Sequence, residues 1–293
     1  MKKAFKVAGH IFTVEMPDRY PLWEMMGQYA PFEIPVGDGE AIFSLEWVPS
    51  LPDGEKTAVY TETPEEEGQS RIELYRTARG WRFEMAPTAK AAICCRMETD
   101  DDFTRAQLAI VPERRHALFA LNNALMILYA FRTSGLGTLE MHASVVIHGG
   151  KGYLFLGRSG TGKSTHSRQW LEHIPGTELL NDDNPVVRAD EDGIVRVYGS
   201  PWSGKTACYR DVSCPLDAIV LLSQAPYNKI SRLGGLEAYV ALVTSISGQR
   251  WDEGIADGLH ETENELASNV PMWHLECLPN EEAATLCQTT ITS

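Results

Sequence analysis

The chain has 293 residues, and 40 Asp plus Glu against 26 Lys plus Arg give it a formal net charge of −14. That acid excess excludes a nucleic-acid backbone as the main partner, because a phosphate-binding surface needs clustered Lys and Arg. Hydrophobic residues at 43% and charged residues at 23% exclude disorder and allow one large domain or two smaller ones.

Lys2, Lys3 and Lys6 are followed by His10, Thr13 and Glu15 rather than an unbroken apolar run, so the N-terminus does not read as a signal peptide. The first hundred residues read as β-rich. Strands are expected at 6–15, 41–47, 56–61, 70–76, 81–85 and 91–97, with a turn at 63–68 and a hairpin turn at Arg79-Gly80-Trp81. One early helix fits 21–29. Pro112 marks a change of period: Leu118, Leu121, Leu125, Leu128 and Phe131 recur at spacings of three and four, predicting a helix over 113–133 that stops at Ser134-Gly135. The apolar part of it, 117–131, is interrupted by Asn122 and Asn123 and is too short to span a bilayer. Beyond it strands at 140–148, 152–156, 178–180, 185–188, 194–198 and 218–222 alternate with helices at 163–173, 236–245, 252–267 and 280–287. The expectation is an α/β core (α+β overall) over 113–293 behind a β-rich domain over 1–112.

Gly157-Arg158-Ser159-Gly160-Thr161-Gly162-Lys163-Ser164 fits G-x-x-x-x-G-K-[ST] between a strand and a helix. Glycines let backbone N–H groups turn inward around a phosphate, and the helix start adds its dipole. Gly157, Ser159, Gly160, Thr161, Gly162, Lys163, Ser164 and Thr165 are therefore the expected nucleotide contacts. Lys163 would reach the β- and γ-phosphates of ATP or another nucleoside triphosphate, and the Ser164 hydroxyl would meet Mg²⁺. The pattern recurs at Gly199-Ser200-Pro201-Trp202-Ser203-Gly204-Lys205-Thr206, but little helical periodicity follows and Pro201 lacks an N–H. That loop reads as a turn, or as an active-site loop whose Lys205 or Arg210 meets a phosphate or acceptor. Asp182-Asp183 follows Lys163 by nineteen residues, room for a helix and a return strand. One carboxylate could serve Mg²⁺ and the other accept a proton from a hydroxyl, although Asp-Asp-Asn is by itself a turn signal. His142 sits in an expected strand, where a lone histidine is most often structural. The six cysteines, at 94, 95, 208, 214, 277 and 287, form no C-x-x-C pair, which predicts reduced thiols in a cytoplasmic protein.

The segment 139–185 resembles the C-terminal catalytic domain of HPr kinase/phosphorylase and its relatives, on His142, the loop through Lys163-Ser164, and Asp182-Asp183. The resemblance implies a phosphoenolpyruvate-carboxykinase-like core and an ATP-dependent kinase. In that reading Asp182 is the base that deprotonates a serine or other hydroxyl, His142 is its partner, and Asp183 is a magnesium-side carboxylate. It also implies a peptide, protein or small-molecule acceptor and a homo-oligomer, while the charge and the short apolar run lead to the expectation of no nucleic acid and no membrane partner. The end of the chain, 270–283, is similar to the strand–helix ending of stand-alone kinases of this group. Thr165 stands where the bifunctional enzymes carry a glutamate, so the resemblance implies neither reverse phosphorolysis nor HPr as substrate. A nucleotide-dependent binding module and a purely structural domain are the alternatives.

Overall fold

The computed structural model describes residues 1–61, 70–111, 116–190, 192–204, 206–248 and 250–292. The expected turn at 63–68, the break at Pro112 and Lys205 lie outside the described residues. The chain divides into two units, Met1–Arg132 with Arg250–Asp252, and Thr133–Gln249 with Glu253–Ser293.

In the first unit, 6–15 is not one strand but part of a hairpin. β1 (Lys2–Val7) and β2 (His10–Glu15) pair antiparallel around Ala8 and Gly9, which take φ of 47° and 83°. The early helix is a single turn, α1 (Leu22–Met25), running into a 3-10 helix over Gly27–Phe32 and the short β3 (Glu33–Ile34). β4 (Ala41–Trp47), β5 (Lys56–Thr61), β6 (Arg71–Thr77), β7 (Gly80–Ala86), β8 (Cys95–Thr99) and β9 (Arg105–Ile110) complete a mixed sheet of order β3-β1-β2-β4-β9-β8-β7-β6-β5. β9 was not expected. Gly80 makes the β6–β7 hairpin because a Cβ there would lie 2.1 Å from the Thr99 carbonyl. The helix α2 (Ala117–Thr133) packs on this sheet: Tyr129 donates its hydroxyl to the Val7 carbonyl at 3.1 Å, and Phe131 lies 6.0 Å from Phe83. These contacts carry the helix into the first unit, so the division falls after Arg132 rather than near residue 112.

In the second unit, β10 (Thr138–Glu140), β11 (Ala143–His148), β12 (Lys151–Leu156), α3 (Lys163–His173), β13 (Thr177–Asp183), β14 (Val186–Ala189), β15 (Val195–Tyr198), β16 (Ser213–Gln224), β17 (Lys229–Leu233), α4 (Gly235–Val243), α5 (Glu253–Asn269), β18 (Met272–Cys277) and α6 (Glu281–Ile291) follow in order. β16 is the spine. Its first residues pair with β15, leading to β14 and β10, while its later residues lie parallel to β12 and β18. β11 and then β13 extend the β12 side, and β17 covers β18.

Helices α3 and α6 cover one face of β12, β16 and β18. Trp170 on α3 is fully buried between Tyr153 at 5.3 Å and Phe155 at 5.6 Å, and Ala284, Cys287 and Ile291 of α6 join the same core. Burying a Trp among such rings stabilises by about 3–5 kcal/mol relative to Ala. Asn280 caps α6 by accepting the Ala283 N–H at 3.0 Å, as Asn before an acidic first turn should. Among the described residues no helix is long and apolar enough to cross a membrane, and all six cysteines are free thiols.

Candidate functional site

β12 is buried from Gly152 through Leu156 and ends where Gly157 turns the chain. Gly157 has φ of 149°, and a Cβ there would lie 2.8 Å from Thr161 Oγ1 and 3.2 Å from the Leu222 carbonyl. Gly160 and Gly162, with φ of 78° and 111°, then reverse the backbone into α3, whose first residue is Lys163. The turn is pinned from both sides. The Thr161 hydroxyl donates to the Arg158 carbonyl, and Gln224 Nε2 donates to the Gly160 carbonyl at 3.2 Å. Ser159, Gly160 and Ser164 are exposed, and Thr161, Gly162 and Thr165 are half-buried. The first turn of a helix offers N–H groups with no intrahelical acceptor, so this strand–turn–helix has the form of an anion cradle.

Lys163 is buried, and its Nζ donates to the Gly157 carbonyl at 2.8 Å. Burial pulls its pKa down, and the negative charges of Asp183 and Asp182 push it back up. β13 carries them within the strand rather than beyond its end: Asp182 lies opposite Ser144 and Asp183 opposite Ala143 on β11. Asp182 is 4% exposed, whereas Asp183 is more open.

His142 does not lie in a continuous strand. Met141 bridges to Ile246, and the His142 N–H donates to the Ser245 carbonyl at 2.7 Å, which draws the chain away before β11 begins at Ala143. From there the ring meets Asp183, with Nδ1 3.2 Å from Oδ1. The expected partner was Asp182. The displaced backbone gives the histidine to the second acid instead.

The second glycine loop is not a second cradle. No helix follows it among the described residues, and the Gly204 N–H is already donated to the Asp182 carbonyl at 2.7 Å. Ser203 bridges to Asp183, and a Cβ on Gly204 would lie 3.0 Å from the Asp182 carbonyl oxygen. A buried polar network locks this loop against β13. Asn181 Nδ2 donates to Ser200 Oγ at 3.2 Å and to the Trp202 carbonyl at 3.1 Å, while Ser200 Oγ donates to the Asn184 carbonyl at 2.6 Å. Arg210, expected near a phosphate or acceptor, is instead tied to β13: it donates to the Leu179 carbonyl at 2.7 Å and to Glu178 at 2.8 Å. Its guanidinium geometry suits that double contact.

One acid has no counterpart among the residues expected from sequence. Glu140 is 1% exposed, and neither carboxylate oxygen has a partner among the described residues. Burial, and then the charge of Asp183, push its pKa well above the ordinary carboxylate value. The signal was a lone acid inside the apolar run Leu139-Glu140-Met141. His166, on the first turn of α3, is also buried. Desolvation lowers its pKa to about 4, and its Nε2 accepts from Trp170 Nε1 at 3.1 Å, which requires a neutral ring.

The family model described as SynChlorMet cassette protein ScmC matches residues 107–278. The chain belongs to that family. The ScmC match spans His142, both glycine loops and the acid pair, and it leaves out most of the first unit. No curated protein matches the chain. Among solved structures, the HPr(Ser) kinase/phosphatase from Coxiella burnetii is similar at 13% identity with a TM-score of 0.32, covering 53% of this chain and 88% of that one. A superposition at that level carries no argument about chemistry.

Proposed function

We propose that this ScmC-family chain is a kinase that transfers the γ-phosphate of ATP, or of another nucleoside triphosphate, to a hydroxyl of a peptide, protein or small molecule. The observation that carries this reading is the register that sets Phe155, Ser144 and Asp182 side by side across β12, β11 and β13, which places the acid pair two strands from the end of β12 where the glycine loop and Lys163 begin. A structural turn needs no acids beside its lysine, whereas phosphoryl transfer needs both. The phosphoenolpyruvate-carboxykinase-like core belongs to the same proposal.

In this reading the loop N–H groups and Lys163 neutralise the phosphate oxygens. Asp182 takes the proton of the attacking hydroxyl as its oxygen bonds to the γ-phosphorus and the bond to the nucleoside diphosphate breaks. His142 holds Asp183 through Nδ1. Ser164, which is exposed, and Asp183 supply hard oxygen donors of the kind Mg²⁺ prefers. No group of three or more His, Cys, Asp or Glu among the described residues is placed to hold a metal. A metal bound mainly through the nucleotide's phosphates and water fits that donor set, and it would supply neutralisation of the triphosphate charge. The net charge of −14 favours a non-nucleic-acid acceptor.

The test uses γ-labelled ATP with a library of serine-containing peptides and small hydroxyl compounds. Label in an acceptor, lost in Lys163→Met, supports the reading. Tight nucleotide binding with no acceptor labelled by any preparation would favour the binding module.

A further inference from the structure

Beside the first glycine loop lies an open cleft of about 630 Å³, within the size range of small-molecule sites. One wall is the loop turn and the start of α3, through Gly162 and Thr165. The facing wall is the chain leaving β16 and β18, where Ala225, Pro226, Cys277 and Leu278 present apolar surface. The Ala225 N–H donates to the Cys277 carbonyl at 3.1 Å, which ties the two segments of that wall together. Leu278 remains 37% exposed, a large aliphatic side chain left facing solvent at the rim.

The charge pattern identifies the occupant. Among the described residues no Asp, Glu, Lys or Arg lines the cleft, and His166, which also lines it, has a buried ring held neutral. The loop wall, Gly160 to Gly162, offers the N–H groups of the phosphate cradle; the facing wall offers a triphosphate no charge, whereas a flat, neutral, aromatic group loses little by desolvation against it and gains apolar contact. The polar side of the site is the loop wall itself, where Gly162 leads directly into Lys163, and the apolar side is the wall facing it. We infer that this cleft is the nucleobase subsite and that it takes a purine ring by apolar contact. The inference rests on the loop binding nucleotide phosphates, as proposed above. Guanine is selected by groups that accept from both its N1–H and its 2-amino donors, for which a carboxylate is suited. Among the described residues the lining has no carboxylate, and the Gln224 Nε2 is donated to the Gly160 carbonyl. Adenine and guanine nucleotides are therefore held with similar affinity.

The experiment is calorimetric titration of the full chain with Mg·ATP, Mg·GTP and Mg·tripolyphosphate, which carries the phosphates without a base. Ala225→Trp fills the cleft and Leu278→Ser strips its rim; the second changes an exposed side chain and does not threaten folding. Ala225→Trp is expected to weaken ATP and GTP alike by about tenfold or more through overpacking, and Leu278→Ser by about threefold through lost apolar area. Both should leave tripolyphosphate within about twofold, since neither residue touches the Lys163 end. In parallel, ATP should slow alkylation of the half-buried Cys277 by iodoacetamide while tripolyphosphate does not. Variants that weaken ATP and tripolyphosphate equally, or neither, overturn the cleft assignment alone. Wild-type protein that binds none of the three overturns the phosphate-loop reading and the cleft with it.

Discussion

Asn181 offers a quantitative check on why the acid pair sits where it does. Its side chain makes three hydrogen bonds: two from Nδ2 to the second loop, and one at Oδ1, which accepts the Asn184 N–H at 3.0 Å. In Asn181→Ala the loop partners keep other contacts. Ser200 Oγ still donates its one proton to the Asn184 carbonyl and still accepts the Trp202 N–H at 3.1 Å. The Asn184 N–H is the group left buried without a partner among the described residues, at a cost of about 1–3 kcal/mol. The two other bonds add about 0.5–1.5 kcal/mol each, so the local opening of β13 and its loop becomes easier by roughly 2–6 kcal/mol. At 1.4 kcal/mol per decade that is roughly a 30-fold to 20,000-fold rise in opening. Amide hydrogen exchange at Asn184 and Gly204 reads this locally, which suits a chain whose two units need not unfold together. Asn181→Asp keeps the Asn184 bond but sets a carboxylate against two acceptors, so it should exchange faster still at pH 7 and recover on acidification. Wild-type exchange at both amides in Asn181→Ala would refute the claim that this network holds the loop on the acids.

Other buried groups give further expected outcomes. Glu140 has a folded pKa above its ordinary 4.5, so its stabilising contribution is complete below that value and is lost as pH rises through the folded pKa. Glu140→Gln should gain stability over wild type progressively above pH 4.5, and parallel melting curves across pH would contradict it. His166 works in the opposite direction: its folded pKa near 4 lies below 6.5, so wild type loses stability between pH 6.5 and 4. His166→Gln should flatten that acid limb in pH-dependent melts, and an unchanged limb counts against a buried neutral ring. Gly204→Ala puts a methyl 3.0 Å from the Asp182 carbonyl oxygen and 3.2 Å from Asp183 Cβ. A displacement of a few tenths of an ångström should slow transfer by about tenfold with nucleotide affinity unchanged, measured by initial rates and calorimetry.

The first glycine loop is legible in sequence because its constraints are local: three glycines, a strand ending at Leu156 and a helix starting at Lys163 all lie within one run of residues. The acid pair is legible in position, since a single helix and return strand fix where Asp182 and Asp183 emerge. The partner of His142 is not. It depends on Ser245 and Ile246, a hundred residues away, drawing the backbone off the line of β11. The second loop misleads for a related reason. Its glycines serve close approach, to Arg210 at Gly199 and to Asp182 at Gly204, and no pattern of spacing separates that use from phosphate binding. Likewise the 6–15 segment hides a turn, because Ala8 takes a positive φ that its residue type does not announce. The helix at 117–133 is legible as a helix but not for the sheet it covers, since an all-round apolar surface does not name its partner.

The most direct test of the central claim is the rate of phosphoryl transfer to an identified acceptor in Asp182→Asn, compared with wild type at equal saturation with Mg·ATP. The account predicts a fall of about 10²–10⁴-fold, as for loss of a general base, with ATP affinity retained through the intact loop and Lys163. An acceptor phosphorylated equally well by both proteins would contradict it.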